Sequence, residues 1–191
     1  MDRRELLKMI SLATGAAFIG GDLLLSGCQN ADTAAKPFAL TDDHLAFLNE
    51  VGETILPATA TPGAKAADVA NVMKAIVTDC YEEKDQQAFL AGIEELNNAS
   101  QKKNGKSFLE ASAAEREGTL REIDQQAKDY QKDKKPEDAN HYFTMMKQLT
   151  LLGYFTSEAG CKEAQRFVPI PQRYDGCVPY VSGEKAITSF F

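Results

Sequence analysis

The stretch VANVMKAIVTDC, residues 69–80, carries the clearest helical pattern in the chain. Because an α-helix turns once in about 3.6 residues, side chains three and four positions apart lie on the same face. The apolar side chains of this stretch follow that spacing, and the pattern therefore predicts a helix that packs on a core through one face. The residues of this face are Val69, Val72, Met73, Ile76, Val77 and Cys80. Its last member, Cys80, is predicted to be a core residue.

Similar patterns on both sides of this stretch predict further helices. They are an early helix that begins at Thr41-Asp42-Asp43 and ends at Pro57, one around Phe89, Ile93 and Leu96, one opened by the capping box Ser112-Ala113-Ala114-Glu115, and a last one that starts near Pro136 and runs through Met145, Met146, Leu149 and Leu152. From Gly153 onward proline and glycine become frequent, which favours an irregular segment. The fold class predicted is mainly α, a compact bundle of about five or six helices with an irregular Pro/Gly-rich C-terminal extension.

Composition narrows the function classes. The 191 residues carry a net charge of -7, with basic residues scattered along the chain and no tryptophan. A phosphate backbone is bound by clustered Lys and Arg, so nucleic acid is not an expected partner.

The first residues read as an export signal. Arg3 and Arg4 precede an apolar run, residues 9–25, that is interrupted by glycines. The run is shorter than the roughly 20 apolar residues that a membrane span needs, and it suits a removable signal. The arginine pair resembles the twin-arginine signal, which exports folded proteins. An ordinary secretory signal with a chance arginine pair is the alternative.

Residues 25–28, LSGC, resemble the lipobox of bacterial lipoproteins, with Cys28 as the lipidated residue. Small residues before the cysteine fit a narrow peptidase site, and the thiol accepts the lipid. The predicted organisation is a signal peptide at 1–27, a lipidated N-terminus and tether at 28–40, and a helical domain at 41–191. The expected location is a bacterial membrane, facing the periplasm, with the inner and the outer membrane both possible.

The titratable residues offer little for catalysis. The two histidines, His44 and His141, have no His or Cys at metal-ligand spacing and suit surface or capping positions. No dinucleotide, P-loop or haem-attachment motif is present, so no catalytic residue, metal ligand or bound cofactor is predicted for this chain. Cys161 and Cys177 both lie in the irregular segment, where a disulfide between them is the first expectation. A bridge from one of them to a partner subunit is the alternative.

Three groups of residues resemble a known family. They are ETILP at 53–57 with TPGA at 61–64, then GYFTSE at 153–158 with Gly160, and the stretch 169–179 that contains YDGCVP. Together they resemble the small subunit, subunit 3, of the gluconate 2-dehydrogenase family, over about Leu45 to Tyr180. The lipobox is a departure from the family, in which a membrane-bound cytochrome c subunit can supply the membrane contact.

The resemblance implies a non-catalytic accessory subunit of an FAD-dependent dehydrogenase that oxidises a sugar or sugar acid. The large partner subunit would bind FAD, and the small subunit would support its folding and carry it through the export pore. A folded-export signal on a chain without a cofactor motif agrees with such an escort.

The partner is expected to dock on the C-terminal segment through aromatic and rigid residues, namely Gly153, Tyr154, Phe155, Pro169, Pro171 and Tyr174. The alternative to partner docking is that this segment packs only on the chain's own helices.

The alternative to an accessory subunit is a stand-alone helical lipoprotein with a structural or ligand-binding role.

Overall fold

The computed structural model of the chain describes residues 38–170, 173 and 176–189. These residues contain five α-helices: α1 Asp42–Ile55, α2 Val69–Cys80, α3 Glu83–Asn104, α4 Ala113–Asp133 and α5 Tyr142–Thr156. A π-helical segment, Gly160–Ala164, and two short strands, β1 Arg166–Phe167 and β2 Ile187–Thr188, follow. The predicted fold class, a mainly α bundle of about five or six helices, is confirmed.

Capping residues set the starts of two helices. The Ser112 hydroxyl accepts a hydrogen bond from the Glu115 amide at 3.4 Å, and the Glu115 carboxylate accepts one from the Ser112 amide at 2.7 Å. This is the capping box that the sequence predicts, and it satisfies two amides that the first turn of α4 leaves without helical partners. Thr41 and His44 form the equivalent reciprocal pair at the start of α1.

Helix α5 lies at the centre of the bundle and contacts each of the other four helices. It buries most of its length, which explains why its sequence is apolar on more than one side. Around it the core is built from large apolar side chains of every helix and of the α3–α4 connection, and the largest fully buried ones include Leu48, Met73, Phe89, Leu96, Phe108, Ile123, Met145 and Met146.

The ends of α5 differ from the sequence prediction. The helix begins at Tyr142, with His141 as its N-cap, whereas the segment from Pro136 to Asn140 forms a turn. At the other end the helix continues to Thr156, so the irregular extension starts later than Gly153. Packing accounts for this second difference, because Gly153 and Tyr154 are buried among the other helices and are held in helical register.

Two residues of the predicted apolar faces lie outside the core. Cys80 is exposed at the last residue of α2, whereas Val77, one turn earlier, is the last buried residue of this helix. Leu152, counted with the core face of α5, is 49% exposed. Conversely, Leu40, predicted to belong to the tether, is buried in the core, and Phe38 packs against it.

The extension folds back on itself after the π-helical segment. Strands β1 and β2 pair in parallel, with Arg166 opposite Ile187 and Phe167 opposite Thr188. The sequence shows no alternation that would predict these strands, because each is only two residues long. Among the described residues, no helix combines the length and the apolar character that crossing a bilayer requires.

Candidate partner-binding surface

The loop between α1 and α2 is fixed by one carboxylate. Glu53, in the last turn of α1, accepts a hydrogen bond from the Ala58 amide through Oε1 and one from the Lys65 amide through Oε2, each at 2.9 Å. Gly63 allows this approach, because a Cβ at that position would lie 2.3 Å from both carboxylate oxygens. The loop therefore holds one shape, with the tip at residues 57–60 exposed to solvent.

The same loop is tied to α5. The Tyr154 hydroxyl donates a hydrogen bond to the Pro62 carbonyl at 2.8 Å, and the tyrosine ring is buried. One residue earlier, Gly153 lies against α2, where a Cβ would be 2.5 Å from a methyl carbon of Val69. The two ends of the resemblance, TPGA and GYFTSE, thus meet in the folded chain.

A tight turn follows α5. The Ser157 hydroxyl donates to the Tyr154 carbonyl at 2.6 Å and accepts from the Gly160 amide at 3.0 Å. The chain then enters the π-helical segment, where the buried Cys161 thiol contacts the Phe155 carbonyl at 3.2 Å. Segments of π-helix are rare and often occur at functional sites. The surface next to this turn is therefore a candidate functional surface.

The residues predicted to bind a partner divide into three groups. Gly153 and Tyr154 are buried and pack on the chain's own helices, so the expectation that they contact a partner directly is corrected. Phe155 is 39% exposed and Pro169 is exposed, and both remain available. Pro171 and Tyr174 lie outside the described residues, as do the export residues Arg3 and Arg4 and the lipidation residue Cys28.

Large apolar side chains are exposed on α5 and in the extension. On α5, Leu151 and Leu152 lie four and three residues before Phe155, respectively, and side chains so spaced are neighbours on a helix surface. In the extension the exposed set is Ile170, Val178, Tyr180, Val181 and Ile187. The sequence placed Leu152 on the core face, because its spacing from Leu149 and Met145 fits that face. Leu151 was not singled out from the sequence.

The cysteines of the described residues are unbonded. Cys161 is buried and Cys177 is exposed, and both carry free thiols. The expected disulfide between Cys161 and Cys177 is therefore absent from the structure. The two residues also differ in environment, because Cys161 is buried with its thiol against the Phe155 carbonyl whereas Cys177 is exposed.

Both histidines serve as helix caps. His44 Nδ1 accepts from the Thr41 amide and His141 Nδ1 accepts from the Phe143 amide, at 3.3 and 3.2 Å. Burial lowers the pKa of His141, against an opposing effect of Glu95, and burial raises the pKa of the neighbouring Tyr142 to about 12. Both groups are thus held neutral at pH 7. Within the described part of the chain, no group of three or more His, Cys, Asp or Glu residues is placed to hold a metal ion.

An ion-pair network secures the side of the bundle beside the loop. Arg116 of α4 contacts the Glu50 carboxylate at 2.6 Å and donates to the carbonyls of Phe108 and Leu109 at 2.9 and 2.6 Å. Lys65, from the loop, pairs with the same carboxylate. The hydrogen bond from Lys65, with a smaller contribution from Arg116, holds the pKa of Glu50 below its ordinary value, although burial opposes the shift.

A cleft of about 380 Å³ lies between α1, α4 and α5. Its apolar floor includes Leu120. Its two cations are already paired, Arg121 with Glu117 at 2.6 Å and Lys147 with Asp124 at 2.6 Å. Because a charged ligand would have to displace these ion pairs, the cleft is a weaker candidate for function than the surface around α5.

The fold and its side chains define a mainly α-helical domain in which the histidines cap helices and the partly buried Glu53 and Arg116 hold connecting loops. The sequence model of the gluconate 2-dehydrogenase subunit 3 family matches residues 42–172. The chain belongs to this family. Comparisons with curated proteins and with solved structures give no significant match.

Proposed function

We propose that the chain is a non-catalytic accessory subunit of a periplasm-facing, FAD-dependent dehydrogenase that acts on a sugar or sugar acid. In this proposal it escorts the folded flavoprotein subunit through twin-arginine export and stabilises it afterwards. The observation that carries the proposal is the family match, which spans all five helices and reaches the extension.

The exposed apolar residues support docking of a large partner. Phe155 and Pro169, together with the exposed extension residues Ile170 and Tyr180, supply aromatic and rigid groups at the C-terminal side of α5. Tyr180 is 90% exposed and Ile170 is 78% exposed. Binding of a partner that buries these apolar side chains is favoured by the hydrophobic effect. Aromatic residues in particular often anchor protein–protein interfaces.

Two sequence features support the proposed export route and membrane location of the chain. Arg3 and Arg4 fit export in the folded state, and Cys28 fits attachment of the mature chain to a membrane by lipid. With the anchor on this chain, the complex needs no other membrane subunit, and a cytochrome c subunit is an optional further partner. We assign FAD to the partner, because the sequence of this chain carries no dinucleotide-binding motif.

Affinity purification of the tagged full-length chain from its native membranes tests the proposal. We expect a large flavoprotein to co-purify in near one-to-one ratio, with a flavin absorption spectrum and with dehydrogenase activity toward sugars or sugar acids. A single band without flavin would contradict the proposal and leave a stand-alone helical lipoprotein.

A further inference from the structure

A groove runs between α2 and the C-terminal end of α5, with Ser157 at its border. It has a volume of about 500 Å³ and is lined from α2 by Val72, Ala75 and Ile76. From α5 it is lined by Gly153 and Thr156. The close contact of Gly153 with Val69 brings the two helices together and leaves the groove lined mainly by small and apolar groups.

Charge in the groove is confined to one end. Among the residues that line it, Asp68 alone is ionised, and it lies at the start of α2 with its side chain exposed. Asp68 has a left-handed backbone conformation, with φ of 54°, which a non-glycine residue adopts only at some cost in free energy. The Asn71 amide holds the carboxylate through both oxygens, at 3.0 and 2.8 Å.

We propose that this groove is a second contact site for the dehydrogenase subunit, where it receives an apolar segment of that partner with a lysine or arginine at the Asp68 end. The inference rests on the proposed function, because membership of a family of dehydrogenase subunits supplies the partner. The apolar lining selects an apolar segment, and the single carboxylate at one end selects a cation there.

The first test closes the groove without disturbing the core. Ala75 is exposed in the middle of α2, so Ala75→Glu leaves the helix intact but places a charged, larger side chain in the groove. Ala91, exposed on α3, gives the matched control Ala91→Glu. We expect Ala75→Glu to reduce the flavoprotein recovered with the tagged full-length chain by roughly tenfold or more, and the control to leave it unchanged.

A second variant tests the charge. Asp68→Asn keeps the shape and tolerates the left-handed backbone, and Asp79→Asn on the same helix is its control. We expect Asp68→Asn to weaken recovery of the flavoprotein by several fold and to reduce the dependence of that recovery on salt, because a charge pair across the interface is screened by ions. Unchanged affinity and salt dependence would contradict the assigned cation.

The outcomes separate the inference from the proposed function. If wild type and Ala75→Glu recover the flavoprotein equally, the groove is not a contact site, and the proposed function is unaffected. A wild-type chain that recovers no flavoprotein overturns both. A dimer of the isolated chain that Ala75→Glu dissociates would assign the groove to a second copy. A loss of thermal stability specific to Ala75→Glu would show that a segment of the same chain occupies the groove. The dissociated dimer and the loss of stability would each overturn the inference.

Discussion

The hydroxyl of Tyr154 and the carbonyl of Pro62 form a 2.8 Å hydrogen bond across 92 positions of sequence. The bond joins the central helix α5 to the loop between α1 and α2. Glu53 fixes the same loop from the opposite side. The α5 end of the bundle and this loop therefore behave as one structural unit.

Removal of the Tyr154 hydroxyl should cost stability. Tyr154→Phe keeps the buried ring but leaves the Pro62 carbonyl without its partner, and we expect a loss of about 1–2 kcal/mol in the free energy of unfolding. Urea denaturation measures it. Tyr130→Phe is the control, since the Tyr130 hydroxyl bonds the Ala139 carbonyl at the surface, where water can replace it. Equal losses in the two variants would contradict the structural importance of the Tyr154 bond.

Glu53 should control the mobility of the loop. Glu53→Gln replaces one acceptor oxygen by an NH₂ group that faces a backbone N–H, so one of the two amides loses its partner. We expect faster hydrogen exchange at Ala58 or Lys65, by roughly tenfold or more, with helices α3 and α4 unaffected. Glu94→Gln, at an exposed position of α3, is the control. Exchange that stays slow at both amides would show that other contacts hold the loop.

Two glycine-to-alanine variants should change stability in opposite directions. In a helix, alanine is normally favoured over glycine by about 1 kcal/mol. Gly153→Ala should nevertheless destabilise the fold by roughly 1–3 kcal/mol, because the new Cβ would meet Val69 at 2.5 Å. Gly118→Ala, where the nearest atom is the mobile end of Lys103 at 3.3 Å, should stabilise it. Thermal unfolding measures both, and a stabilised Gly153→Ala would contradict the close packing of α2 and α5.

Protonation of His141 should weaken the fold. Burial lowers its pKa below the ordinary value of 6.5, and Glu95 opposes this only in part. The unfolded chain therefore takes up the proton more readily than the folded chain. The contribution of His141 is complete above pH 6.5 and is lost as the pH falls below that value.

The variant His141→Asn isolates this effect. Asparagine keeps a capping side chain but does not titrate. Between about pH 7 and about pH 5.5, we expect the free energy of unfolding of wild type to fall more than that of His141→Asn. Parallel pH profiles would show that His141 does not contribute.

Cys28 should carry the membrane anchor. We expect Cys28→Ser to abolish labelling of the chain by radioactive palmitate and to release it from the membrane fraction, because the acceptor thiol is gone. Cys80→Ser, which removes an exposed thiol of the folded domain, should keep both properties. Retained labelling in Cys28→Ser would contradict the lipobox.

Much of the bundle follows from local rules. The helix predicted at 69–80, the limits of α1 near Thr41 and Pro57, and the capping box of α4 depend on residues within a few positions of one another, and the structure confirms them. Cys80 is the exception on the predicted face of α2, because it is exposed. The sequence predicted surface or capping positions for His44 and His141, and the structure places both as caps. The family was accessible for a related reason, because its motifs are short and contiguous.

Local rules could not predict which side chains of α5 are exposed. Leu149 and Leu152 have equivalent spacing on α5, yet the first is buried and the second is half exposed, since the other helices cover only part of the central helix. The same holds for Gly153 and Tyr154, which the sequence places beside an exposed Phe155 without showing which side faces inward.

The sequence by itself determined the mainly helical fold, the capped starts of α1 and α4 and the family, because each depends on neighbours along the chain. The tertiary structure alone decided which apolar residues remain exposed, which thiols stay apart and where the loop meets α5. These outcomes depend on contacts between residues far apart in sequence, such as Tyr154 and Pro62, and such contacts exist only once the helices have packed.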